Sequence, residues 1–491
     1  MSGDTSRIEA AAPQPRITVI GTGYLGATHA ACMAELGFEV LGLDVDPLKI
    51  VALSRGELPF HEPGLPELLV KHVSSGRLRF TNSYREAADF GDVHFIGVGT
   101  PQRPGESAAD LAYVDAAVAE LVRNLTRDAL IVGKSTVPVG TARRLRRLID
   151  DELEGRPEPA APRVALAWNP EFLREGRAVQ DTLAPDRLVV GTDDGDAESR
   201  ALLRRVYAAP LATGTPLIET DFETAELVKV AANAFLATKI SFINAFSEIT
   251  EVIGGDITTL ADALGHDARI GRKFLNAGVG FGGGCLPKDI RALQARADEL
   301  GAGAAMRFLT QMDEINLRRR DRVIHLATQS VGLLQGARIA VLGAAFKPES
   351  DDVRDSPALD IAARLYNSGA DVTVYDPQAN RNAAARFPRL EYARSLEEAV
   401  SGADLVVLLT EWEEFRRLRP RDLEPLVRER RFIDGRNVLP AEDWKASGWE
   451  FSALGRRADV VGLHEVREQV SGADPRSRLA PIDFFQSLAA E

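Results

Sequence analysis

Apolar and polar positions follow two regimes along this chain. Near the start, and again after Arg338, short β-branched apolar runs stand between helix-length segments, whereas the stretch between them carries helical spacing. Arg16-Ile17-Thr18-Val19-Ile20 is the first apolar run and stops at Gly21. Tyr24 to Leu36 is helix-compatible, and after Gly37 a second run, Phe38 to Leu43, closes on Asp44. That order predicts a β-α-β unit. Val93–Val98, Ala129–Val132, Arg163–Ala167 and Arg187–Val190 read as further strands, so residues 16–216 are expected to form a doubly wound, mostly parallel sheet.

From Asp221 to about Ser330, Ala, Leu, Ile and Glu recur at helical spacing, and β-branched runs become scarce. Residues 217–330 are therefore expected to form a central helical domain, with Phe222–Val252 and Ile290–Ala327 long enough for extended helices. Most apolar residues there should serve core or subunit contacts. Arg338-Ile339-Ala340-Val341-Leu342-Gly343 then restarts the opening pattern. Gly37-Phe38-Glu39-Val40 leading to Asp46-Pro47 is echoed by Gly369-Ala370-Asp371-Val372 leading to Asp376-Pro377. This weak repeat predicts a second Rossmann-like domain over residues 331–466, with Asp404–Leu409 and Arg431–Asp434 continuing its sheet. The fold class expected is α/β, two Rossmann-like doubly wound domains joined by a helical one. Residues 1–15 and 467–491 read as tails.

Composition narrows the function. A 491-residue chain carries roughly three domains. A net charge of −13 argues against nucleic-acid or acidic-membrane partners, while leaving room for a local basic pocket. No apolar run reaches membrane-spanning length. The 2 cysteines suit a reducing compartment, so a cytoplasmic location is expected.

Chemistry concentrates in a few motifs. Gly21-Thr22-Gly23-Tyr24-Leu25-Gly26 follows a strand and opens a helix, where glycines allow a pyrophosphate to approach the helix N-terminus. Asp44, at the end of the next strand, suits the ribose hydroxyls and disfavours a 2′-phosphate, pointing to NAD as cofactor. The second unit has Gly343-Ala344-Ala345-Phe346-Lys347 instead, which suits a different anionic ligand. Gly280-Phe281-Gly282-Gly283-Gly284-Cys285-Leu286-Pro287-Lys288-Asp289 sets a thiol in a glycine-lined turn, where nearby cations would favour the thiolate. By itself that could equally be a glycine-rich loop with a half-buried thiol. Glu226, Lys229 and Asn233 share one helical face, readable as a surface salt-bridge face or as a buried oxyanion site. Asn169-Pro170-Glu171-Phe172-Leu173-Arg174-Glu175-Gly176 places two carboxylates four residues apart, either for chemistry or as an ordinary acidic helix start.

In this order, the motifs resemble the UDP-glucose/GDP-mannose dehydrogenase family, and within it the UDP-glucose 6-dehydrogenases. The likeness runs from about Arg16 to His464. It also takes in His61-Glu62-Pro63-Gly64-Leu65, Gly99-Thr100-Pro101, Lys134-Ser135-Thr136-Val137-Pro138-Val139-Gly140, Arg269-Ile270-Gly271, Asp352-Val353-Arg354 and Asp434-Gly435-Arg436-Asn437. The resemblance implies that a nucleotide-sugar primary alcohol is oxidised to a carboxylate by two NAD⁺ and a water. Cys285 would capture the intermediate aldehyde as a thiohemiacetal, oxidised to a thioester and then hydrolysed, with no metal. Lys229 and Asn233 would stabilise the oxygens, Thr136 and Asp289 would hold a water, and Glu171 would transfer a proton during hydrolysis. Asp44, Lys49, Thr100, Thr136, Glu175, Lys288 and Arg354 would line the NAD site with Gly21–Gly26. Phe172, Leu173, Asn276, Gly280, Phe281, Gly282, Phe346, Lys347 and Arg436 would contact the nucleotide sugar, together with Glu171, Glu175, Lys229 and Asn233. Arg269 would reach a neighbouring subunit's site, implying a homodimer or larger homo-oligomer.

Gly99, where many relatives have Asn, and the Gln102–Glu106 loop depart from the family pattern near the sugar face. UDP-glucose is the expected substrate, and dTDP-glucose stays open, because one methyl group separates the bases. A two-electron hydroxyacid dehydrogenase would share the Rossmann and helical domains but need neither Cys285 nor the second α/β domain. A non-catalytic nucleotide-sugar sensor would not need the thiol, the lysine and the aspartate together.

Overall fold

The computed structural model describes residues 13–155 and 162–456. The expected tails at 1–15 and 467–491 lie almost wholly outside the described residues.

Two sheets organise the chain. The first contains β1 (Ile17–Ile20), β2 (Val40–Leu43), β3 (Leu78–Thr81), β4 (Val93–Ile96), β5 (Ala129–Gly133), β6 (Val164–Trp168), β7 (Leu188–Thr192) and β8 (Leu217–Thr220). Its spatial order is β3-β2-β1-β4-β5-β6-β7-β8. Every pairing is parallel except β6 with β7. The central strands β1, β2, β4 and β5 are buried along their whole length, as a sheet covered by helices on both faces requires. Order reverses between β1 and β4, which opens a crevice at the carboxyl end of β1, beside Gly21. β3 and β8 escape the sequence pattern because edge strands need no continuous apolar run. β8 also carries the first sheet past the boundary expected at residue 216.

The second sheet holds β9 (Arg338–Leu342), β10 (Asp371–Tyr375), β11 (Glu391–Tyr392), β12 (Leu405–Leu408), β13 (Arg431–Asp434) and β14 (Glu450–Ala453). Its order is β11-β10-β9-β12-β13-β14, all parallel. Its first strands repeat the β3-β2-β1-β4 arrangement of the first sheet, giving the Asp-Pro echo a structural basis.

Between the sheets runs one helix, Phe222–Ile253, capped by Asp221, whose carboxylate accepts from Thr224 N, and ended by Gly254 at φ 79°. The run expected at Ile290–Ala327 is two helices, Leu286–Glu299 and Gly303–Val331, broken at Leu300-Gly301-Ala302. Gly301 takes φ +74°, a conformation that ends a helix readily. Among the described residues, no helix is long and apolar enough to cross a membrane.

Candidate active site

Four elements converge on one cleft. The turn after β6 brings Glu171 and Glu175, the Phe222–Ile253 helix brings Lys229 and Asn233, the Leu286–Glu299 helix begins at Cys285, and the loop after β9 brings Phe346 and Lys347.

Lys229 Nζ lies 2.9 Å from Glu171 Oε1, and both side chains are nearly enclosed. Asn233 Nδ2 donates to Asp289 Oδ2 at 2.7 Å, while Lys288 Nζ donates to Asp289 Oδ1 at 2.6 Å. Glu226, Lys229 and Asn233 are all buried, so the solvated salt-bridge face is excluded. Glu226 serves elsewhere, accepting from Gly140 N at 2.7 Å and Ala142 N at 2.6 Å, where it docks the long helix onto the N-terminus of helix Thr141–Leu153. Burial disfavours the Lys229 ammonium, but the charge and hydrogen bond of Glu171, with the charge of Asp289, outweigh it, and its pKa lies above the ordinary lysine value. Lys229 is therefore a cation.

Cys285 is the N-cap of its helix, and Asp289 N donates to its carbonyl at 2.9 Å in the first turn. The residue is exposed along the cleft, yet its sulfur is crowded by protein on the other sides. That crowding pushes the thiol up to about 12, with Glu171, Asp289 and Glu175 adding to the rise and Lys229 opposing it. The expectation that neighbouring cations favour the thiolate is therefore corrected. Lys288 turns onto Asp289, and burial together with three carboxylates outweighs the cations around the sulfur.

The glycine run is shaped by what lies against it. A Cβ on Gly283 would sit 2.8 Å from the Phe346 ring, and one on Gly284 would fall 2.3 Å from the Arg354 guanidinium. Phe281 N donates to Asn316 Oδ1 at 2.6 Å, fixing the loop to the Gly303–Val331 helix. Arg436 gathers the carbonyls of Leu409, Gly280 and Phe346. Lys347 Nζ donates to Glu175 O at 2.7 Å, and Ser350 Oγ donates to Glu175 Oε2 at 2.9 Å, so the turn after β6 bridges both nucleotide-binding units. Burial first, then Asp352, raises Glu175 to about 7 against the opposing pull of Lys347, Ser350 and Arg354. Arg354 is paired with Asp352 and stands 3.6 Å from Glu175.

The first unit fits a dinucleotide. A Cβ on Gly26 would lie 1.8 Å from the Gly21 carbonyl oxygen, so the turn closes tightly onto the helix, while Gly23 faces open space. Asp44 Oδ2 accepts from Thr22 N at 2.9 Å and from Lys49 Nζ at 2.8 Å. Burial opposes its ionisation, but Lys49 and the N–H groups of Asp46 and Thr22 prevail, holding Asp44 below its usual value. Thr100 Oγ1 donates to the Thr136 carbonyl at 2.7 Å, so these two join the same edge of the sheet.

Two other expected residues, Asn276 and Arg269, lie at the surface. Asn276 is exposed and accepts from Arg272 NH1 at 2.7 Å. Arg269 is 89% exposed and paired with Asp267. Phe172 packs under Arg187, and Leu173 N donates to Glu171 Oε2 at 2.6 Å. Glu62 had no role assigned from sequence. It is buried and accepts from Tyr24 OH, from Gly176 N at 2.6 Å and from Ala178 N at 2.7 Å. It thus pins the Glu171–Gly176 turn to the first helix. Its place in His61-Glu62-Pro63-Gly64-Leu65 was the available signal.

Known proteins share this architecture. Residues 15–210 match the NAD binding domain of the UDP-glucose/GDP-mannose dehydrogenase family, residues 223–318 its central domain and residues 340–441 its UDP binding domain. The chain belongs to the UDP-glucose/GDP-mannose dehydrogenase family. It is 41% identical over 441 residues to the UDP-glucose 6-dehydrogenase of Rhizobium meliloti (strain 1021), covering 90% of this chain and 99% of that protein. With UDP-glucose 6-dehydrogenase TuaD of Bacillus subtilis (strain 168) it shares 39% identity over 478 residues, 97% of this chain and 98% of the relative. A UDP-glucose dehydrogenase structure from Pyrobaculum islandicum superposes with a TM-score of 0.82 at 36% identity, covering 93% of this chain and 100% of that one. The protein is an NAD-dependent dehydrogenase of nucleotide sugars.

Proposed function

We propose that the chain oxidises UDP-glucose at C6 to UDP-glucuronate, with Cys285 holding the sugar covalently between two oxidations. The observation that carries this reading is the convergence of Cys285, Lys229, Asn233, Glu171 and Asp289 in one cleft between two nucleotide-binding units. Bound NAD⁺ supplies the hydride acceptor for both oxidations.

The Lys229 cation stabilises the C6 alkoxide as its hydride leaves, and the proton passes to a water held by Thr136 and Asp289. The Cys285 sulfur then adds to the aldehyde carbon, and its thiol proton passes to Asp289, leaving Glu171 as the base for the later hydrolysis. Lys229 and Asn233 hold the resulting oxyanion, which expels the second hydride and leaves a thioester. Glu171 takes a proton from the attacking water, the carbon–sulfur bond breaks, and Sγ regains a proton. A thiol that stays protonated in the free enzyme is protected from oxidation and sheds its proton only when substrate arrives. The nucleotide lies along Gly280–Gly282, with Phe346, Lys347 and Arg436 at the diphosphate.

Two chains pair through the outer face of the Phe222–Ile253 helix, where Phe235, Phe242, Phe246 and Ile249 are exposed. Arg269 then completes the partner's site. The free thiols Cys32 and Cys285 fit a cytoplasmic protein. NADH counted across UDP-, dTDP- and GDP-hexoses tests the reaction. Two NADH per UDP-glucose are expected; one NADH with free aldehyde accumulating contradicts it.

A further inference from the structure

Lys134 follows β5 at the carboxyl edge of the first sheet, and its side chain is buried. Its Nζ donates to Asn169 Oδ1 at 2.9 Å and to the Tyr207 hydroxyl at 3.5 Å. It also stands over the rings of Phe95 and Tyr207. Among the described residues no carboxylate lies within 4.0 Å of it. Enclosing an ammonium among neutral partners is costly, and a neutral side chain of similar shape would pack the same space. The charge therefore has a purpose outside local stability.

Asn169 shows where that purpose lies. Its backbone N donates to Gly133 O at 2.8 Å and its Nδ2 to Val189 O at 2.7 Å, while Oδ1 also accepts from Tyr207 OH at 2.5 Å. Only Pro170 separates Asn169 from Glu171. A cavity behind Glu171 is faced by Lys134, His29, Asp181, Asp186, Arg187 and Tyr207. Asp181 is taken by Arg174, Arg187 lies on the Phe172 ring, and burial holds His29 neutral. Glu171 thus has Lys229 bonded to its carboxylate and the Lys134 ammonium facing the same cavity behind it.

We propose that Lys134 is a positioning residue for Glu171, acting through Asn169 to fix the turn and supplying a second positive charge to the cavity behind Glu171 when Lys229 turns to the substrate oxygen. This rests on the proposed hydrolytic role of Glu171. Burial brings the Lys134 ammonium down to about 8, with Glu171 pulling up and Lys229 pushing down, so it is charged at neutral pH.

The test is the pH profile of the hydrolytic phase, measured in single turnovers with UDP-glucose and excess NAD⁺. In Lys134→Gln, hydrolysis is expected to slow roughly tenfold and its acid limb to move up by roughly one pH unit. KM for NAD⁺ should stay within about twofold, because the Lys134 side chain turns to Asn169 and Tyr207 and not to the dinucleotide turn at Gly21–Gly26. Lys134→Arg should return the limb to its original position. Asn169→Asp, isosteric and able to pair with Lys134, should shift the limb the same way if Lys134→Gln does not fold. Folded Lys134→Gln or Asn169→Asp protein with an unmoved limb overturns the proposal. Glu171→Gln separates the two ideas. If that variant keeps the wild-type limb, the Glu171 assignment fails; if it erases the limb while the other two leave it unmoved, only the Lys134 assignment fails.

Discussion

At the cysteine itself, burial and three carboxylates disfavour the thiolate, and Lys229, Lys347 and Arg354 oppose them without prevailing. Glu171, Asp289 and Glu175 raise the thiol, and Lys229 lowers it. None of this is legible in the local sequence, because Glu171 and Glu175 arrive from a turn more than a hundred residues upstream of Cys285. The glycine run and the adjacent Lys288 suggested an activated thiolate, but Lys288 spends its charge on Asp289. What sequence does carry is the set of groups: Cys285, Lys229, Asn233, Asp289 and Glu171 all reach the same cleft. Cys285→Ser is expected to stop the reaction after the first oxidation while leaving NAD⁺ affinity within about twofold, because the thiol does not build the dinucleotide turn. Isothermal titration with NAD⁺ and a single-turnover NADH trace check both halves. A fully active serine variant would exclude thioester chemistry.

Two helices carry the positions of these groups, and each is held by contacts that a propensity reading does not foresee. The Phe222–Ile253 helix is pinned at Glu226 to the backbone of Gly140 and Ala142. Burial raises Glu226 from 4.5 to about 7, against those two N–H groups. The folded state then holds this proton more tightly than the unfolded chain does. Stability from it is complete below about pH 4.5 and declines as pH rises towards about 7, a span worth about 3 kcal/mol. Thermal midpoints of wild type and Glu226→Gln should therefore diverge in pH dependence across that interval, wild type losing stability with rising pH. Parallel curves would remove the linkage. The Leu286–Glu299 helix is approached through Gly283, at φ +83° with no room for a Cβ beside Phe346. Gly283→Ala should raise KM for UDP-glucose roughly tenfold through displacement of that ring, with NAD⁺ binding little changed. Buried central strands were plain from their apolar runs, whereas β3, β8, β11 and β14 were not. Short edge strands lack the pattern that burial on both faces imposes.

Over the whole molecule, two nucleotide-binding sheets flank a helical span, and the repeat at Asp44-Val45-Asp46-Pro47 and Asp376-Pro377 announced them. Their use has diverged. Asp44 is bonded by Thr22 and Lys49, while Asp376 accepts from Ala344 N, Ala345 N and Trp412 Nε1 and has become structural. The exposed aromatic face of the long helix and the outward Arg269 are the surfaces on which the proposed pairing of two chains rests. In a two-fold dimer, mixing refolded Cys285→Ser and Arg269→Ala chains should recover about a quarter of wild-type activity, because half the dimers carry one intact site. No recovery, with the dimer intact by light scattering, would place Arg269 outside the partner's site.

The central claim is that a bond forms between Cys285 and the sugar's C6. Acid-quenched Glu171→Gln protein, mixed with UDP-glucose and excess NAD⁺, should show an intact mass increased by one oxidised nucleotide sugar. The adduct should map to the peptide containing Cys285, form only when NAD⁺ is present, and accompany two NADH per site. Two NADH per site with unmodified protein, in a variant whose hydrolysis is stalled, would contradict the account.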